Sequence, residues 1–239
     1  MTTSPVNVVL VPGFWLGGWA WEDVVGPLRS AGLAPHAVTL PGMTSDATDR
    51  ATVTREDHVD AVRALVAGLD GHVVLVGHSG GGALVGEVLD RDPRRFTRVV
   101  FVDGGPLVDG ARLVAQLPPG AAEIPLPPWD ELAAQGSSIE GLDEEALGRF
   151  RDRAVPQPAR VAVDPVRMRD PARFAVPVTV VCTSIPAEQL RALASHDAPF
   201  HTELLDYAEV GFVDLPTGHW PMLSRPADLA EVLVEACRA

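Results

Sequence analysis

A single serine stands among glycines in residues 73–89, which read VVLVGHSGGGALVGEVL. Residues 77–81 have the pattern G-x-S-x-G, which is typical of a sharp turn between a strand and a helix that keeps a serine hydroxyl exposed. Glycine is expected at both ends of the pattern because larger side chains would collide across so tight a turn. The turn would also place the backbone N–H of Gly80 at a helix N-terminus, where an oxyanion is stabilised. The pattern therefore predicts that Ser79 is a nucleophile and that Gly80 is one oxyanion donor.

A glycine-rich loop can also bind phosphate or form a simple tight turn. The sequence has no G-x-x-x-x-G-K-[ST] motif, and it contains no lysine at all. The lack of lysine also excludes any mechanism that needs a Schiff base. The nucleophile is therefore the favoured interpretation of Ser79.

Valine-rich segments alternate with longer amphipathic segments along the chain. Strands are predicted over residues 6–12, 34–41, 72–77, 98–103, 177–183 and 211–216, and helices over about 19–31, 54–69, 79–91, 186–195 and from 226. Strands that are apolar at consecutive positions are buried on both faces, and their alternation with helices implies a parallel sheet. The sequence predicts an α/β fold, doubly wound, with a mainly parallel sheet of about six strands.

This alternation stops over residues 106–172, where QLPPG, IPLPP and AVPQP interrupt any long helix. An insert at this place in an α/β domain is most simply a lid over the face where the strands end. We therefore expect a core formed by residues 1–105 and 173–239, with residues 106–172 as an inserted lid.

Composition restricts the partners of the protein. The 239 residues carry a formal net charge of -13, which argues against nucleic acid because phosphates need a basic surface. No apolar run approaches the ~20 residues of a membrane span, and the N-terminus lacks the features of a signal peptide. We expect a cytoplasmic protein without membrane partners, and the sequence does not indicate an oligomeric state. No cofactor or metal motif occurs, so neither is expected.

The segment VPGFWLGGWAW, residues 11–21, together with the G-H-S-G-G turn, resembles the α/β-hydrolases. It is similar to the oxyanion loop of the branch that contains plant methyl esterases and hydroxynitrile lyases. The resemblance implies that the residue after the first glycine, Phe14, supplies the second oxyanion N–H, although Pro12 stands where that branch usually has histidine. Trp15 either packs in the core or lines the substrate pocket, and Trp129 and Trp220 are also expected at the pocket.

The general base must be one of seven histidines. His78 is adjacent to Ser79, but successive side chains at a strand end point to opposite faces. His219 lies in the segment PTGHWPM, between the last predicted strand and the last helix, where α/β-hydrolases carry their catalytic histidine. The resemblance therefore implies that His219 is the base and not a solvated surface residue.

The acid is the residue at which the sequence departs most from the family. These hydrolases commonly place an aspartate after the strand that precedes the histidine strand, but that loop reads CTSIPAEQL and contains only Glu188. A glutamate there also stabilises the start of a helix. Asp103 ends the strand after the nucleophile, where haloalkane dehalogenases and some lipases carry their acid, and its alternative role is in a turn. We favour Asp103 over Glu188, with Asp197 and Asp214 as weaker candidates.

These residues predict a serine hydrolase that cleaves an ester, thioester or lactone of a small hydrophobic molecule through an acyl-enzyme. A serine nucleophile argues against dehalogenase and epoxide hydrolase activity, since those relatives use aspartate, and the lack of lysine argues against a hydroxynitrile lyase. Two alternatives stay open. One is a tailoring enzyme of secondary metabolism that catalyses acyl transfer, lactonisation or cyclisation, and the other is a ligand-binding receptor built on the hydrolase fold.

Overall fold

The computed structural model describes residues 6–194 and 202–238. The strands are β1 (Asn7–Val11), β2 (Ala34–Ala37), β3 (Val73–His78), β4 (Phe96–Val102), β5 (Glu123–Ile124), β6 (Gln157–Pro158), β7 (Val178–Cys182) and β8 (Val210–Asp214). The α-helices are α1 (Glu22–Ser30), α2 (Arg55–Ala67), α3 (Gly80–Arg91), α4 (Trp129–Ala134), α5 (Glu144–Arg153), α6 (Ala159–Val163), α7 (Ala187–Ala194), α8 (Pro221–Ser224) and α9 (Pro226–Arg238). Short 3-10 helices occupy Gly18–Trp21, Pro93–Arg95, Pro171–Ala175 and Thr202–Asp206. In these ranges no helix combines the length and the apolar character needed to cross a bilayer.

Six strands form one parallel sheet in the order β2-β1-β3-β4-β7-β8. The chain first adds β2 on one side of β1 and then builds the other strands outward from the opposite side. Helices α2, α3 and α7 contribute to the core on one face of the sheet, and α1 and α9 contribute to the core on the other. The structure confirms the predicted fold, a doubly wound α/β domain with a six-stranded parallel sheet.

The central strand β3 is buried on both faces. Val73 and Leu75 pack into one apolar cluster, whereas Val74 and Val76 pack into the cluster on the opposite face. Each large aliphatic side chain that is buried in this way contributes roughly 1.5–3 kcal/mol to folding. The strand that leads to Ser79 is therefore among the most firmly held in the molecule.

The carboxyl ends of the parallel strands bring the predicted site residues to one edge of the sheet. The ladder continues past the strand ends, because the Ser79 N–H donates to the Val102 carbonyl (3.0 Å) and the Asp103 N–H donates to the Val181 carbonyl (2.9 Å). These two hydrogen bonds fix the backbone at both residues. The predicted nucleophile and the favoured acid therefore stand at the ends of neighbouring strands.

The insert, residues 106–172, contains helices α4, α5 and α6 and the antiparallel pair β5–β6. Its longest helix, α5, is held against α1 at two places. Arg153 forms two hydrogen bonds with Glu22 (2.7 and 2.9 Å), and Arg149 pairs with Asp23 (3.0 Å). The side chain of Phe150, on the same helix, is fully buried. That the insert acts as a lid stays a prediction.

His58 on α2 is a buried histidine, and its Nε2–H donates to the Pro41 carbonyl (2.9 Å). Burial lowers the pKa of His58 to about 4. In the unfolded chain a histidine binds a proton below about pH 6.5. Between these two values the unfolded state binds more protons, so the free energy of unfolding falls as the pH falls from about 6.5 toward 4.

We expect wild type to lose roughly 2–3 kcal/mol more of its unfolding free energy between pH 7 and pH 4.5 than the variant His58→Gln. Glutamine keeps a donor for the Pro41 carbonyl but does not titrate. Urea unfolding of both proteins at the two pH values measures the difference. An equal loss in wild type and variant would contradict a neutral, buried His58.

Candidate active site

Ser79 stands between β3 and α3 with φ 52° and ψ −123°. Residues other than glycine rarely adopt such positive φ values, and this strain is typical of functional sites. The N–H of Gly82 donates to the Ser79 carbonyl (2.8 Å), which closes the first turn of the helix. The sharp turn predicted from the G-x-S-x-G pattern is therefore present.

Glycines allow the neighbouring loops to approach this turn closely. A Cβ atom on Gly77 would lie 2.6 Å from the carbonyl oxygen of Gly81, and one on Gly104 would lie 2.9 Å from that of Ser79. A Cβ atom on Gly13 would lie 2.9 Å from Nδ1 of the buried His78. Since such separations are too short for a real Cβ atom, the turn needs glycine at these positions.

Three side chains form a hydrogen-bonded line through the site. His219 Nε2 lies 2.8 Å from Ser79 Oγ, and His219 Nδ1 lies 2.6 Å from Asp103 Oδ2. Because the ionised carboxylate only accepts, Nδ1 carries the proton and donates to Asp103. Nε2 then accepts from the Ser79 hydroxyl, which is the arrangement that a serine nucleophile and a histidine base need.

Asp103, whose φ is 44°, is held by four hydrogen bonds. Oδ1 accepts from the backbone N–H groups of Thr183 (3.2 Å) and Ser184 (3.0 Å), and Oδ2 accepts from the Ser184 hydroxyl (2.6 Å) and from His219. Burial acts to raise the pKa of Asp103. The hydrogen bonds from His219 and Ser184 and the charge of His219 outweigh burial and hold the pKa of this carboxyl well below its usual range. Asp103 is therefore a carboxylate at neutral pH.

The other candidate acids lie elsewhere. Glu188 is exposed in the first turn of α7, which is the helix-start role weighed from the sequence. Asp214 accepts from the Ala187 N–H (2.7 Å) at the start of the same helix. Asp197 lies outside the described residues. Of the described candidates, the structure brings Asp103 to His219.

The predicted oxyanion donors, Phe14 and Gly80, lie in contact beside Ser79. A Cβ atom on Gly80 would lie 2.9 Å from Cε1 of the Phe14 ring. Among the described residues, neither of their N–H groups donates a hydrogen bond within the protein. Both N–H groups are thus available to a bound oxygen atom, and their role as oxyanion donors stays a prediction.

The backbone of His219 is held on both sides, which the sequence did not predict. Its carbonyl accepts from Nε2–H of His78 (2.7 Å), and its N–H donates to the Ser138 carbonyl in the insert (2.7 Å). Burial lowers the pKa of His78 to about 3, so that ring is neutral. The sequence held one signal for the contact from His78: this residue is adjacent to Ser79, and its side chain points to the opposite face of the strand end.

A cavity of about 340 Å³ opens beside Ser79 and His219. Most of its wall is apolar, and three side chains add polar groups. The apolar residues include Leu107, Leu113, Val180, Val181, Ile185 and Leu190, and the polar ones are Ser184, Gln135 and Ser137. Within residues 6–194 and 202–238, no three His, Cys, Asp or Glu side chains are grouped so that they could hold a metal ion.

The tryptophans predicted at the pocket are not among the residues that line this cavity, and their contact with a substrate stays a prediction. The ring of Trp220 is buried and packs against Phe150, and Trp129 packs against the same phenylalanine. Trp15, at φ 64°, donates its Nε1–H to the Ile124 carbonyl (3.1 Å). Trp220 belongs to the core shared by the sheet and the insert, and the half-buried rings of Trp15 and Trp129 pack against it.

The chain belongs to the α/β-hydrolase family, whose family model matches residues 8–232. A carbendazim hydrolyzing esterase from Nocardioides sp. (strain SG-4G) is 32% identical over 250 residues, covering 95% of this chain and 98% of that protein. Methylesterase 3 from Arabidopsis thaliana is 32% identical over 143 residues, covering 57% and 49% of the two chains. Membership confirms the family resemblance and the enzyme class predicted from the sequence.

Other similarities are shorter or concern the fold alone. Two further Arabidopsis thaliana relatives are 37% and 36% identical over 107 residues, which span 44% of this chain and 31% of each relative. The solved structure of an extracellular α/β-hydrolase from a Paenibacillus species superposes with a TM-score of 0.76 at 21% identity. That superposition covers 97% of this chain and 99% of the other, so the fold extends over both chains.

The kcat values of two variants distinguish Asp103 from Glu188 as the acid. We expect Asp103→Asn to lower kcat by about 10³–10⁴, because an asparagine does not hold the imidazole in the required tautomer. Glu188→Gln should lower kcat less than about tenfold, since the side chain lies in a helix turn. Hydrolysis of p-nitrophenyl acetate, with circular dichroism to verify folding, measures both variants. The opposite ranking would contradict Asp103 as the partner of His219.

Proposed function

We propose that the protein is a serine hydrolase that cleaves an ester, thioester or lactone of a small hydrophobic molecule through an acyl-enzyme. The observation that carries this proposal is the line of hydrogen bonds from Asp103 through His219 to Ser79, with separations of 2.6 and 2.8 Å. Its elements are a nucleophile, a base and a group that orients the base, which is the set that acyl transfer needs.

Acylation begins when Ser79 Oγ attacks the carbonyl carbon of the substrate. The hydroxyl proton passes to Nε2 of His219, and the Asp103 carboxylate stabilises the imidazolium that forms. The carbonyl oxygen becomes an oxyanion and accepts from the backbone N–H groups of Phe14 and Gly80. His219 then gives the proton to the leaving group, which departs as an alcohol or thiol and leaves Ser79 acylated.

Deacylation repeats these steps with water. His219 takes a proton from water, and the resulting hydroxide attacks the acyl carbon while the same two N–H groups hold the oxyanion. His219 returns the proton to Ser79 Oγ as the acyl–oxygen bond breaks. The carboxylic acid product is released, and the hydroxyl of Ser79 is restored. When the substrate is a lactone, both product groups remain in one molecule.

The cavity supports a small and mainly apolar substrate. Its volume of about 340 Å³ is at the lower end of the range for small-molecule sites, and most of its wall is aliphatic. Leu107, Leu113, Gln135 and Ser137 belong to the insert, so the insert would form one wall and act as a lid over the substrate. The names of the relatives, an esterase that hydrolyses carbendazim and a methylesterase, support small esters as substrates.

The nucleophile is tested by covalent labelling. We expect a fluorophosphonate probe to label Ser79, and we expect Ser79→Ala to lose both the labelling and at least 99% of p-nitrophenyl acetate turnover, because the triad acts as a unit. Peptide mapping of the labelled protein identifies the modified residue. Turnover of more than a few per cent in the alanine variant would contradict the serine mechanism, and wild type that binds esters but releases no p-nitrophenol would favour a receptor.

A further inference from the structure

The loop that follows β7 closes over Asp103 from the neighbouring strand. Strands β4 and β7 are paired in parallel register with Val102 opposite Val181, so the residues after β7 come beside the acid. This is the loop in which related hydrolases commonly carry the acid itself. Here it supplies three hydrogen-bond donors to Asp103 instead, two from the backbone and one from the Ser184 side chain.

These donors divide between the two carboxylate oxygens. Within the described part of the chain, the donors to Oδ1 are backbone N–H groups, which remain whatever side chain stands at position 184. Oδ2 accepts from both the Ser184 hydroxyl (2.6 Å) and His219 Nδ1 (2.6 Å). The hydroxyl therefore acts on the same oxygen atom that orients the catalytic imidazole.

We infer that Ser184 is a positioning residue, whose hydroxyl holds the Asp103 carboxylate in the rotation that directs Oδ2 at His219 Nδ1. The Cβ–Cγ torsion of a carboxylate has a broad and shallow energy profile, so hydrogen bonds set the rotation of the Asp103 carboxylate. The backbone N–H groups at Oδ1 limit this rotation, and the Ser184 hydroxyl at Oδ2 narrows it further. The inference rests on the proposed function, because it needs Asp103 to act as the acid.

The hydroxyl also stabilises the negative charge that faces the imidazolium. Hydrogen bonds to an ionised acceptor are short and about twice as strong as neutral ones. With Ser184 donating, the proton on Nδ1 stays on His219 when the imidazolium forms, and Asp103 remains a carboxylate. Ser184 keeps its own proton throughout, so no bond to it forms or breaks during the reaction.

The first test separates kcat from KM in three variants. Ser184→Ala is expected to lower kcat about tenfold and to change KM less than twofold, since a hydrogen bond to a charged group is lost and the cavity wall is otherwise kept. Ser184→Thr keeps the hydroxyl and is expected to stay within threefold of wild type. Ser184→Cys keeps the size but donates weakly, so its kcat should be lowered about as much as that of Ser184→Ala. A change confined to KM would identify Ser184 as a substrate contact and overturn the inference.

The second test is a double-mutant cycle with Asp103→Asn. If Ser184 acts through Asp103, then Ser184→Ala in the Asp103→Asn background should change kcat less than twofold. An equal loss in both backgrounds would overturn the inference. The two proposals fail in different ways: wild-type kcat in Asp103→Asn would remove the acid from the proposed function, whereas a thousandfold loss there with full kcat in Ser184→Ala would remove only the positioning role.

Discussion

The backbone of Ser79 is held at φ 52°, and this conformation determines what the surrounding chain must be. A strained residue of this kind costs on the order of 1–3 kcal/mol and persists only where its neighbours hold it in place. Strand β3, which is buried on both faces, fixes the backbone before Ser79. The loops of Gly13 and Gly104 pack closely against the turn itself. The position of the Ser79 hydroxyl at the cavity is therefore a consequence of packing around the turn.

The three side chains of the hydrogen-bonded line, Ser79, His219 and Asp103, differ in how they are held. Ser79 and Asp103 stand at the ends of neighbouring strands, and their N–H groups extend the sheet ladder. His219 comes from a loop after the edge strand β8 and depends on separate contacts, one from His78 and one from the insert. The imidazole is thus placed by the core and by the insert together.

Local and nonlocal features of the sequence differ in how well they predict this site. Ser79 and the strands follow from patterns that are contiguous in the chain, because a tight turn and a buried strand each restrict residue type locally. Asp103 could be favoured but not separated from Glu188, since an acid needs only to reach the imidazole. The sequence does not decide between core and pocket for Trp129 and Trp220, because large apolar rings suit a core as well as a pocket wall. The residues that line the cavity depend on how the insert folds, which proline-rich segments do not specify.

The hydrogen bond from the His219 N–H to the Ser138 carbonyl has a consequence for recombining this protein with its relatives. Gly218 lies so close to the insert that a Cβ atom there would be 2.5 Å from the same carbonyl oxygen. An insert transplanted from another hydrolase would have to bring a carbonyl to this place and tolerate that approach. Exchange of the insert alone would therefore displace His219, the proposed general base. Substrate range and catalytic rate would then be inherited together, and a productive chimera would carry the insert and the loop of His219 from one parent.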